Sequence, residues 1–162
     1  SALAFFENEI AAAVVLVMFI PLIISSGGNS GSQAATLIVR AMALKELTIK
    51  DWFYVLRKEL FSGFSLGLIL GVVGFLKIVI SHNYTGADYG DHWLALAFTI
   101  LFSLIGVVMW GTLSGSMIPI LLKRLKLDPA TSSAPLVATL VDVTGIVIYF
   151  SVAALLLTGK LI

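Results

Sequence analysis

Residues 133–158 read SAPLVATLVDVTGIVIYFSVAALLLT, an apolar run long enough to cross a bilayer as a helix, which takes about 20 mainly apolar residues. A single charge, Asp142, interrupts it. Three more stretches qualify on the same ground, roughly 8–26, 59–80 and 93–122, and the four together account for most of the chain. The expected fold is therefore an all-α membrane protein, a polytopic bundle of four transmembrane helices, with residues 1–162 forming one domain. Composition agrees. Hydrophobic residues make up 59% of the chain and charged residues 12%, against about 45–50% and about 25% in soluble domains, and mean hydropathy is +1.07.

Net charge is +1, and the basic residues fall in two clusters with no interleaved aromatic patch, which argues against nucleic acid as a partner. There is no cysteine, so disulfides, thiolate metal sites and cysteine nucleophiles are excluded. The chain begins Ser1-Ala2-Leu3, with no methionine, no charged region before the first apolar run and no small-residue cleavage site. That reads as a start inside a longer protein, not as a signal peptide.

Orientation follows from the Lys and Arg residues, because short cytoplasmic loops carry the excess. Arg40, Lys45, Lys50, Arg57 and Lys58 separate the first two spans, and Lys123, Arg124 and Lys126 separate the last two. Both connections are expected in the cytoplasm. The link 81–92 holds Asp88 and Asp91 but no Lys or Arg, and Glu7 and Glu9 precede the first span; these belong outside, where the two glutamates either attract cations to an outer mouth or form a solvated cap. Lys77 is expected to snorkel to the outer headgroups.

Asp142 is the decisive residue, and two readings of it stand: a carboxylate hydrogen-bonded to Thr or Asn across helices, or one that faces a water-filled path. A charge at that depth costs about 2.5–3.5 kcal/mol on insertion scales and normally faces a partner, a bundle interior or a wet path. No Lys, Arg or His lies at the same depth to neutralise it. Ala138, Asp142 and Gly145 share one side of the helix, and with Thr139 they leave a small-sided face suited to a pore. Magnesium binds oxygen, sheds water reluctantly and is usually held by one or two carboxylates; one carboxylate per chain, doubled by the twofold axis of a homodimer, meets that need.

The second constellation is Pro21 followed by Gly27-Gly28-Asn29-Ser30-Gly31-Ser32-Gln33. Two readings stand. Glycines can let the helix unwind, so that exposed carbonyls and the amides of Asn29 and Gln33 serve a passing cation; or the run is a C-cap and turn that ends the span. From Ser32 to about Leu44 helical patterning resumes. Gly63, Gly67 and Gly71, and Gly111 with Gly115, repeat at four-residue spacing, which serves close helix packing. Ser30 and Ser114 each precede a glycine, as the nucleophile of an intramembrane protease does, but the two histidines, His82 and His92, fall in the outer link, too far to act as base. The chain is expected not to be an enzyme.

These stretches, with Arg40, the basic segment 51–59, Leu127-Asp128-Pro129-Ala130 and Pro135-Leu136-Val137-Ala138-Thr139-Leu140 leading to Asp142-Val143-Thr144-Gly145, resemble the transmembrane domain of MgtE-type magnesium channels, which are related to eukaryotic magnesium carriers. The similarity covers nearly the whole chain in order. It implies a homodimer in a bacterial inner membrane with five helices per subunit, of which the chain holds the last four. The pore would run at the dimer axis, lined by the first and last spans, with Asp142 and the backbone of Ala138 holding hydrated Mg2+ and with Gly27, Gly28, Asn29, Gln33, Thr139 and Gly145 along the wall. It also implies cytoplasmic N-terminal and CBS domains in the parent protein that sense magnesium and close the pore. Ala134 is a departure, since some relatives carry asparagine just before the matching proline.

Overall fold

The computed structural model describes the backbone of residues 7–157 except 88 and 91, and the side chains of those residues apart from 7–13 and 130–133. Four long helices fill it: α1 (Glu7–Ala43), α2 (Trp52–Tyr84), α3 (Trp93–Arg124) and α4 (Pro129–Leu157), with a 3-10 turn at Ile49–Asp51 ahead of α2. All four are long and apolar enough to cross a membrane, and no strand occurs among the described residues. The 37 residues of α1 run about 55 Å against a hydrocarbon core of about 30 Å. The helix ends therefore overhang the lipid, and the charged residues collect there.

Helix α3 is the hub. It packs against α1, α2 and α4, and α1 also packs on α4, whereas α2 leans chiefly on α3. Contacts ascend together along α1 and α3, from Gly27 on Gly111 to Gly31 on Gly115, so these two helices run in the same direction. Against α2 and α4 the order reverses: Gly63 meets Met109 while Gly71 meets Leu101, and Gly145 meets Val107 while Ile148 meets Gly106. At one end of the bundle Leu16, Phe19, Ile23, Ile78, Leu96, Ile100, Tyr149 and Leu157 form the main core. At the other, Ile38, Met42, Val55 and Ile120 form a smaller one, which places both basic connections at the same end.

The glycine run of α1 neither ends nor unwinds the helix, contrary to both sequence readings of it; α1 continues unbroken to Ala43. The reason lies in α3. A Cβ on Gly31 would stand 3.0 Å from the carbonyl oxygen of Gly111, and one on Gly115 would collide with the carbonyl oxygen of Gly31. Two glycine pairs let the backbones touch, and contact on both helices offsets the helix propensity that glycine lacks, about 1 kcal/mol per residue. Gly63, Gly67 and Gly71 do the same for α2: a Cβ on Gly67 would lie 2.8 Å from Ile105 Cα and one on Gly71 2.8 Å from the Leu101 carbonyl oxygen.

Both α1 and α3 stop in the same way. Lys45 and Lys126 each adopt φ 61°, and Glu46 and Leu127 each donate their N–H to the carbonyl five residues back, at 3.0 and 2.9 Å, closing the left-handed cap that commonly ends a helix. Thr48 then receives Asp51, whose carboxylate accepts from the Thr48 N–H at 2.8 Å and from its hydroxyl at 2.7 Å, starting the turn into α2.

Two bonds fix the rotation of α4. The Tyr149 hydroxyl, fully buried, donates to the Leu16 carbonyl of α1 at 2.9 Å; Trp110 Nε1 of α3 donates to Thr144 Oγ1 at 2.7 Å. At the opposite end from the basic turns, His82 stacks on Trp93 with centroids 4.5 Å apart. Lys77 Nζ sits 5.6 Å from the centroid of the Phe19 ring, an attraction of the cation–π kind.

Gly115→Val should lower the thermal stability of the detergent-solubilised protein by about 1–3 kcal/mol, since two backbones must part, while Gly106→Ala, whose Cβ would meet only Ile148 Cγ2 at 3.2 Å, should be mild. Tyr149→Phe should cost about 0.5–1.5 kcal/mol, the net worth of one hydrogen bond. Thermal unfolding followed by fluorescence reads all three.

Candidate functional site

Where α1 passes α4, a groove of about 370 Å³ opens, lined by Ile20, Pro21, Ile24, Ser25, Gly28, Asn29, Ser32, Ala138 and Asp142. Its polar residues come at helical spacing from α1, and its one ionisable group comes from α4. Asp142 is half-buried, and no hydrogen bond or ion pair to its carboxylate is found among the described residues. The close passage explains its position. Gly28 presents no side chain, and a Cβ there would stand 2.8 Å from Asp142 Oδ1, so the carboxylate occupies space that any other residue on α1 would fill.

The structure divides the sequence-derived candidates. It brings Asp142, Ala138, Gly28 and Asn29 together in the groove. Gly27 turns instead to the core, where a Cβ would overlap Val107 and lie 3.0 Å from Val141. Gly145 is buried against Val107, with a Cβ position 3.2 Å from its Cγ1. The face expected to carry residues 138, 142 and 145 is thus split, the first two toward the groove and the third toward α3. Gln33 and Thr139 are exposed and lie outside the groove lining; the Thr139 hydroxyl donates to the Pro135 carbonyl at 3.0 Å. The side chains of Glu7 and Glu9 lie outside the described residues, as do Asp88 and Asp91. No group of three or more His, Asp or Glu able to hold a metal forms among the described residues, and Asp142 is the one carboxylate in the groove lining.

Sequence reasoning missed Ser25 as a lining residue, although it lies one turn before Asn29 on the same face. It also missed Tyr149 and Trp110. Their signal was present: a tyrosine or tryptophan deep in an apolar span carries a donor that must find an acceptor.

Four helices long and apolar enough to cross a membrane, with a polar recess between α1 and α4 that holds the Asp142 carboxylate, define a polytopic membrane protein. Residues 20–152 match the family model MgtE, described as a divalent cation transporter. The chain is 44% identical over 152 residues to the magnesium transporter MgtE of Thermus thermophilus, covering 94% of this chain and 32% of that protein. It is 30% identical to the magnesium transporters MgtE of Bacillus subtilis and Enterococcus faecalis, over 94% and 93% of the chain. The chain belongs to the MgtE family, a family of transporters and not of enzymes, and is a multi-pass protein of the bacterial cell membrane. It spans about a third of the length of these relatives.

Gly28→Ala tests the close passage at Asp142. The added methyl faces the far end of a flexible side chain, so the carboxylate should move and the fold should hold, with thermal unfolding of the variant within about 1 kcal/mol of the wild type.

Proposed function

We propose that this chain is the membrane part of a magnesium transporter, in which hydrated Mg2+ passes through a channel-like pore on the axis of a homodimer. The observation that carries the reading is the state of Asp142: a carboxylate at membrane depth, open to a groove, with no partner for its charge among the described residues. A carboxylate left so in a low-dielectric surround must be offset by something. A cation that keeps its waters suits it, because water in the ion's shell donates hydrogen bonds to the carboxylate and no direct ligand cage is needed.

Lining from α1 and α4 supports a path along the groove, and two copies around an axis would face two carboxylates toward one divalent ion, balancing its charge. Asp142 and the Ala138 backbone form the central site in this reading, with Gly28 and Asn29 beside it. Gln33 and Thr139, exposed on the same two helices, extend the wall toward the end that carries both basic turns, and Gly27 and Gly145 set how closely α1, α3 and α4 approach behind it. That end faces the cytoplasm by its excess of Lys and Arg, where the regulatory domains of the longer protein would attach, and one further helix would precede α1. Glu7 and Glu9 would stand at the outer mouth. The membrane potential drives entry.

Mg2+ uptake into proteoliposomes holding the protein, under an imposed membrane potential and without a proton gradient, is expected for the wild type and should fall to the level of empty vesicles in Asp142→Asn. Undiminished uptake by a folded Asp142→Asn protein would remove Asp142 from the path. Uptake that requires a proton or sodium gradient would make the protein a coupled antiporter, and the absence of uptake from both would leave it a membrane scaffold.

A further inference from the structure

Among the hydroxyls of α1, Ser25 behaves differently from its neighbours. Ser26, Ser30 and Thr36 each donate to the carbonyl four residues back, at 2.7, 2.7 and 2.8 Å, and so turn their polarity onto their own helix. Ser25 instead accepts, from Asn29 Nδ2 one turn on, at 3.2 Å. Both residues are exposed and both line the groove that holds Asp142.

An amide side chain has a donor end and an acceptor end. Unrestrained, it can offer either to the groove, and the donor end repels a cation's shell, whose waters point their own hydrogens outward. With one N–H donated to Ser25, the nitrogen end of the amide is turned toward Ser25 and the carbonyl oxygen at the other end is left for the groove. We infer that Ser25 is a positioning residue that holds the Asn29 amide with its carbonyl oxygen toward the cation path, so that Asn29 and Asp142 act as a pair of acceptors, one neutral and one charged, for the water shell of a divalent ion. This rests on the transport reading above. The bond joins two residues of one helix surface and buries nothing, so its loss leaves the packing of the bundle untouched.

Mg2+ uptake by the reconstituted protein, measured as a function of Mg2+ concentration, tests it. Ser25→Ala should raise the half-saturating concentration about two- to tenfold, the worth of one hydrogen bond, with the maximal rate unchanged. Ser25→Thr, which keeps the hydroxyl, should restore the wild-type value. Asn29→Ala should match Ser25→Ala, and the double variant should be no worse than either, because Ser25 acts only through Asn29. Inhibition by hexaamminecobalt(III), whose fixed shell of ammonia can meet only outer acceptors, should weaken by the same factor. A wild-type half-saturation in Ser25→Ala, or additive effects in the double variant, would overturn the inference. If Asp142→Asn abolishes uptake in the same preparation, that result confines the failure to Ser25 and Asn29; if Asp142→Asn is silent, the transport reading falls, and this one with it.

Discussion

Backbone contact between α1 and α3 sets most of the geometry. Without side chains at Gly27, Gly31, Gly111 and Gly115, the two helices come closer than any pair bearing Cβ atoms could. In lipid there is no hydrophobic gain from bringing apolar helices together, so close van der Waals contact must hold them. The same closeness makes α1 a continuous rod through a run of glycines. A continuous rod keeps Ser25, Asn29 and Gly28 in fixed angular register, and the groove depends on that register.

Helix α4 completes the groove by being held at two heights, by Tyr149 on α1 and by Trp110 on Thr144. Both bonds lie on sides of α4 that face the bundle. Together they leave α4 little freedom to rotate, which matters because a turn of one residue would carry Asp142 from the groove into the apolar core at the cost of burying an uncompensated charge. The carboxylate is thus held open to the groove by packing elsewhere, with no partner of its own among the described residues.

Hydropathy made the four helices legible, since no other feature competes with runs of apolar residues that long, and a lone aspartate within one of them was conspicuous for the same reason. The four-residue spacing of Gly63, Gly67 and Gly71 also read correctly as packing. The course of α1 did not, because Gly27-Gly28-Asn29 is locally the same as a helix stop; what decides it is a matching pair of glycines on another helix, which no local pattern contains. Nor could periodicity alone separate Gly145 from Asp142. Three residues are less than one turn, and which side of the pair meets the core was settled by Val107 of α3.

All nine residues that line the groove belong to α1 and α4, and none to α3, although among the described residues α3 supplies the most buried ones. Scaffold and lining are therefore carried by different parts of the sequence. Substitutions among Ile20, Ile24, Ser25 and Ser32 can alter what the recess prefers while the interlocked helices behind it stay as they are. On the transport reading, a protein arranged in this way can diverge in selectivity at little cost in stability, and its lining can be redesigned as a surface.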